Sequence, residues 1–166
     1  DRQIHRWTKQ YKDSETQMIP EINELIEWLP KNIPSDQETT IVHGDFRLDN
    51  MIFDPITHEV KAILDWELST LGNPIADFTY HMMSWRLPAG AKGLGMMGSD
   101  LKSLNIPSEN EYAELYYKKT GREKIDNWDF YMAYNIFRLA GIAQGIVGRV
   151  RDGTASSSEA KNYEAF

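Results

Sequence analysis

The stretch Ile41-Val42-His43-Gly44-Asp45-Phe46-Arg47, read with Asn50 and with Ile63-Leu64-Asp65, decides the fold. Asp45 and Asn50 stand five positions apart in one loop, and Asp65 follows fifteen positions after Asn50. Two short runs, Thr40-Ile41-Val42 and Lys61-Ala62-Ile63-Leu64, predict strands whose ends deliver the carboxylates of Asp45 and Asp65. One carboxamide and one carboxylate make an oxygen site for a divalent cation, while a second carboxylate stays free to orient a hydroxyl. Phosphoryl transfer needs that division of labour, because its catalysis consists of positioning and charge neutralisation.

Most of the remaining sequence predicts helices. Residues 3–12 mix polar and aromatic positions. Pro20, a favoured first-turn residue, introduces Ile22, Leu25, Ile26 and Leu29 at helical spacing. Asn73-Pro74 starts a helix running to about Trp85, and residues 86–107, rich in Gly and Pro, form a long loop. Ser108 to Glu111 caps a helix that ends at Thr120 before Gly121. The pattern from Asn127 to about Arg151 is apolar around most of its circumference, which predicts a buried helix. Gly141, Gly145 and Gly148 fall on one smooth face of it. Gly153 to Ser158 is expected to be a linker or frayed tail.

Gly93-Leu94-Gly95-Met96-Met97-Gly98 satisfies a nucleotide-loop pattern, but that motif has physical content only between a strand and a helix. Leu87-Pro88-Ala89-Gly90 precedes it and Ser99-Asp100 follows, so a flexible loop is expected there instead.

At 166 residues the chain is read as one domain, 41% apolar and 26% charged, hence globular. A net charge of −7 with no Lys/Arg cluster to offset it excludes a nucleic-acid surface. No membrane span is visible, and the absence of cysteine makes a cytoplasmic setting the default expectation.

The motifs resemble those of the aminoglycoside phosphotransferase and choline kinase-like family, the small-molecule branch of the protein kinase-like fold. His43-Gly44-Asp45 with Asn50 resembles its catalytic loop, Ile63-Leu64-Asp65-Trp66 its metal segment, and Gly72-Asn73-Pro74-Ile75-Ala76-Asp77-Phe78 a third conserved element of that group. The fuller string from His43 to Asp77 is closer still to the kinase-like domains joined to some acyl-CoA dehydrogenases. The resemblance covers roughly residues 39–80. It implies an α+β, predominantly helical C-terminal lobe, with a small β-hairpin carrying the catalytic and metal-binding loops. It also implies ATP as co-substrate, Mg2+ as cofactor and a hydroxyl on a small molecule as acceptor. The forty-odd residues before His43 read as helices with no β-rich, Gly-turned stretch, so the N-terminal nucleotide-binding lobe is expected to be absent from this chain. A lobe surface left open in that way is expected to be apolar and prone to self-association, which leaves a homo-oligomer open.

By this reading Asp45 is the base or hydroxyl-orienting group, Asn50 and Asp65 hold the metal and through it the nucleotide, and His43 shapes the loop. Arg47 has two readings. It reaches the transferring phosphoryl group with its guanidinium fork, or it pairs with Asp49. Asp77 either complements the dipole of its helix or, as the resemblance implies, accepts hydrogen bonds from catalytic-loop amides. Trp66, Met82, Met83 and Trp85 receive no assignment, since Met and aromatic positions of this kind are usually core. Residues 81–107 contain a single acid, Asp100, which disfavours polycationic acceptors and leaves a hydroxyacyl-type substrate as the implied one. The competing reading is a truncated or inactive kinase-like module that binds or scaffolds, and the isolated chain is expected to fold without turning over ATP.

Overall fold

A computed structural model describes residues 2–35, 38–90 and 95–154. Two compact units divide the chain: Asp36–Met132, and Asp1–Ser35 with Ala133–Phe166.

In the first unit, four short strands nest as two antiparallel ribbons. β1 (Thr40–Val42) pairs with β4 (Thr70–Gly72), placing Thr40 opposite Gly72 and Val42 opposite Thr70. Inside this pair, β2 (Met51–Phe53) pairs with β3 (Val60–Ile63), with Met51 opposite Ile63 and a bulge between Ile52 and Phe53. The turn closing β2 and β3 is organised by Asp54, whose Oδ1 accepts from the amides of Ile56 and Thr57, both at 2.9 Å. Nesting leaves residues 43–50 on one side, between β1 and β2, and residues 64–69 on the other, between β3 and β4. The catalytic-type loop and the metal-type segment therefore both leave the open end of one hairpin. The strands foreseen at 40–42 and 61–64 do not pair with each other, and the second ends at Ile63 rather than Leu64.

α3 (Pro74–Met82) follows β4 directly. Asn73 caps it by accepting from the Ile75 amide at 2.9 Å, and its Nδ2 donates to the Tyr131 hydroxyl at 3.0 Å. The helix continues as a 3₁₀ turn, Met83–Trp85, in which the carbonyl of Met83 accepts from Arg86. Its buried face (Ile75, Phe78, Thr79, Met82) forms the core of this unit with Val42, Ala113 and Met132. Phe78 stacks on Tyr116 at 3.8 Å between ring centroids and 10° between planes. α4 (Glu109–Thr120) carries a complete capping box between Ser108 and Glu111 and ends on Gly121 in the left-handed region, as its sequence predicts. Met82 and Met83 are core, and Trp85 is half-buried with its Nε1 donating to the Pro107 carbonyl at 2.9 Å.

The loop after Trp85 is only partly covered. Gly93 and Leu94, a third of the Gly93–Gly98 run, lie outside the described residues. Gly95 packs backbone to backbone, and a Cβ there would fall 2.1 Å from the Leu87 carbonyl oxygen. Met97 N donates to Leu87 O and Ala89 N to Met97 O. Gly95 and Met97 are therefore tied to the Leu87–Ala89 backbone by packing and hydrogen bonds, and the run is not followed directly by a helix.

The second unit holds α1 (Arg2–Asp13), α2 (Pro20–Lys31) and the greater part of α5 (Trp128–Arg151). Ile4, Tyr11, Ile22, Leu29 and Phe137 are its buried apolar residues. The glycine face of α5 receives α1: Gly141 lies against Trp7, and a Cβ on Gly148 would stand 3.0 Å from the Ser14 Cβ. Gln144 Nε2 donates to Thr16 Oγ1 at 2.7 Å, satisfying a buried amide inside this interface. The foreseen tail beyond Thr154 lies outside the described residues.

Candidate active site

The site belongs to the first unit, and three cross-links bind its two loops. His43, 2% exposed at the end of β1, places its Nε2 2.7 Å from the Leu64 carbonyl oxygen, while its Nδ1 accepts from the Asp45 amide at 3.2 Å. Together these bonds select the neutral tautomer protonated on Nε2. The Asn50 carbonyl accepts from the Leu64 amide at 2.8 Å, continuing the β2–β3 ladder to the residue before Asp65. Gly44 adopts φ +85°, and a Cβ there would stand 2.4 Å from the Leu68 carbonyl oxygen. Only glycine satisfies both the backbone angle and the contact.

Asp77, in the first turn of α3, directs both carboxylate oxygens at this loop. Oδ2 accepts from the His43 amide at 2.6 Å and Oδ1 from the Gly44 amide at 2.9 Å. One side chain thus fixes two successive peptide planes immediately before Asp45.

Asn50 sits in a 3₁₀ turn, Leu48–Asn50, which returns it towards Asp45. Its Nδ2 donates to the Asp45 carbonyl at 2.9 Å and to Asp45 Oδ2 at 3.0 Å. Committing the amide nitrogen in this way fixes the amide's orientation and leaves Oδ1 as the side-chain oxygen free to bind elsewhere. Asp45 Oδ1 accepts no hydrogen bond among the described residues, nor does either Asp65 oxygen. Asp65 itself is exposed and adopts a left-handed backbone, φ 67° and ψ 47°, at the start of a 3₁₀ turn, Trp66–Leu68. An aspartate tolerates that region better than most residues, yet the conformation is uncommon and concentrates at functional sites. A neutral amide oxygen and an unpaired carboxylate, on residues separated by one rung of a ladder, suit a hard divalent cation. No group of three or more His, Asp or Glu suited to a metal occurs among the described residues, so the fit rests on these two oxygens.

Arg47 pairs with Asp49 in this structure, the second of its two readings. The hydrogen bond from Arg47 and the charge of Asp49 outweigh a larger opposing effect of burial, and the guanidinium is held more firmly protonated than usual. Sequence reasoning missed the parts that are main chain: the Leu64 and Leu68 carbonyls have no side-chain signal. It also left Trp66 unassigned. The indole lies 4.7 Å from the His43 ring, tilted by 53°, and its Nε1 donates to Ile63 O, which clamps the histidine in place.

The candidate site is thus a braced loop that carries Asp45 and Asn50, tied through the Leu64 backbone to the segment that bears Asp65. The chain belongs to the phosphotransferase enzyme family, whose model matches residues 1–115. A crystal structure from Ralstonia eutropha, provisionally named an aminoglycoside phosphotransferase, is 52% identical with a TM-score of 0.92, covering 99% of this chain and 50% of that one. Acyl-CoA dehydrogenase family member 10 of Mus musculus is 50% identical over 161 residues, 96% of this chain but 15% of that protein. Acyl-CoA dehydrogenase family member 11 of Homo sapiens is 41% identical over 160 residues, 95% of this chain and 20% of that protein. The chain therefore spans half of the Ralstonia protein and a fifth or less of the two acyl-CoA dehydrogenase family members. No helix among the described residues is long and apolar enough to cross a membrane.

Proposed function

We propose that this chain is the catalytic, C-terminal lobe of an enzyme that transfers the γ-phosphoryl group of ATP to a hydroxyl of a small molecule, with Mg2+ as cofactor. The observation that carries this reading is the Asp45–Asn50 pair, which leaves Asp45 Oδ1 and Asn50 Oδ1 as free oxygens on one rigid loop. Asp45 Oδ1 receives the acceptor's hydroxyl and takes its proton as that oxygen bonds to the γ-phosphorus and ADP departs. Asn50 and Asp65 are the residues that would hold the cation, which when bound neutralises charge on the nucleotide phosphates. His43 and Asp77 hold the loop in shape. Arg47 serves the transferring group only by exchanging Asp49 for it. The low acidity of residues 81–107 and the likeness to acyl-CoA dehydrogenase family members support a hydroxyacyl-type acceptor over a polycation.

A second body completes the site on this reading. Ten of the fifteen large apolar side chains exposed among the described residues fall between residues 41 and 71, including Ile41, Ile52, Phe53, Leu64 and Leu71. An apolar surface of this density suits a nucleotide-binding lobe of the same protein, and without it self-association into a homo-oligomer.

The test uses the full-length protein with Mg2+-ATP and a panel of hydroxyacyl acceptors. Asp45→Asn is expected to lower turnover by ~10²–10⁴ while leaving the melting temperature near that of the wild type. Asp65→Asn is expected to lose affinity for Mn2+ read by electron paramagnetic resonance. An Asp45→Asn enzyme that keeps more than half its turnover would remove Asp45 from its role. Undiminished Mn2+ binding by Asp65→Asn would remove Asp65, and the scaffold reading would then stand.

A further inference from the structure

We infer that the cleft between α1 and the C-terminal part of α5, within the second unit, is an anion site that takes a phosphate-bearing small molecule. It is an open surface cleft of about 520 Å³, and Arg6, Lys9, Asp13, Arg149 and Asp152 line it above a floor of Gly145 and Gly148. Clefts of ~300–1,000 Å³ are the size that small ligands use.

Its charges do not cancel. Asp13 is committed to Lys9 on the same helix, and Asp152 to Arg151, which does not line the cleft. Arg6 and Arg149 have no carboxylate within ion-pair reach among the described residues. Arg6 lies over the Trp7 ring, 5.7 Å from its centroid. In a chain of net charge −7, this is a local reversal of sign.

Helix stability explains Arg149 but not Arg6. Arg149 is in the last turn of α5, where a cation complements the helix dipole. α1 has no acid in its first turn and instead places Arg2 and Arg6 in its N-terminal half, where a cation gains nothing from the dipole. The glycines complete the argument. The approach of Ser14 excludes a side chain at 148, so the floor of the cleft stays flat. Guanidiniums contributed to one cleft by α1 and α5 suit a phosphate or diphosphate group, which accepts their forked donors.

Isothermal titration of the whole chain with sodium pyrophosphate, in chelator and at low salt, tests this independently of the phosphotransferase reading. Saturable one-to-one binding is expected, weakening as salt is raised. Arg6→Gln with Arg149→Gln should weaken it by about ten-fold or more, the loss of charge-assisted hydrogen bonds. Both side chains are exposed, so the variant should melt like the wild type. A control carrying Lys102→Gln and Lys118→Gln removes the same charge from the other unit and should bind normally. Absence of saturable binding, equal affinity in the double-arginine variant, or equal loss in the control would each overturn the assignment.

Discussion

Replacing Asp77 by alanine removes the acceptor of two amides at once, and the structure sets the size of the effect. The His43 amide belongs to a residue only 2% exposed, so water cannot readily replace the lost carboxylate oxygen at 2.6 Å. An unsatisfied buried donor costs ~1–3 kcal/mol. The Gly44 amide, 2.9 Å from the other oxygen, is on a half-buried residue, where water recovers part of the loss. Removing a first-turn carboxylate from α3 adds ~0.3–1 kcal/mol through the helix dipole. Together these give a destabilisation of ~2–4 kcal/mol, a large share of the ~5–15 kcal/mol typical of a domain. Urea unfolding measures the total, and hydrogen exchange at His43 to Arg47 measures where it falls. Asp77→Asn sharpens the test, because its amide keeps one acceptor but turns a donor against the other amide. If Asp77→Ala leaves exchange at His43 and Gly44 unchanged and costs less than ~1 kcal/mol, only the dipole effect survives and the brace is refuted.

Gly44→Ala should destabilise by at least ~2 kcal/mol, from the left-handed backbone and the Leu68 contact, whereas Gly98→Ala, with a positive φ but open space around it, should cost less; thermal melts compare them. Burial among Phe46, Trp85 and Tyr112 pushes the His81 imidazole below its ordinary value. The unfolded chain takes up that proton near pH 6.5 while the folded chain resists it, so the contribution is full above that pH and is lost as pH falls. Wild-type stability should therefore decline below pH 6.5 at up to about 1.4 kcal/mol per pH unit from this residue, and His81→Gln should flatten the profile.

Helices were legible because their signals are local. Ser108, Glu111 and Gly121 announce both ends of α4, and Gly141, Gly145 and Gly148 announce the face that receives α1. The ribbons were less so. Met51–Phe53 and Thr70–Gly72 are too short for a period of two to register, and their pairing is decided by partners some 12 and 30 residues away in the chain. At the site, residue types and their likeness to known kinases pointed to Asp45, Asn50 and Asp65 as the candidate side chains. Neither could show that Asn50's amide nitrogen is committed to Asp45, or that a left-handed turn presents Asp65, because both depend on loops meeting across a ladder.

The position of Asp77 also bears on when the site comes into being during synthesis. A nascent chain that has emerged only as far as Asp65 already contains Asp45, Asn50 and Asp65, yet lacks β4, the glycine contact at Leu68 and the carboxylate that sets the two peptide planes before Asp45. The candidate residues emerge first, and their brace arrives with Asp77, 34 and 33 residues after the His43 and Gly44 amides it holds. A half-made chain at the ribosome would thus hold the three candidate side chains without the carboxylate that sets the loop, which takes its shape when that helix docks.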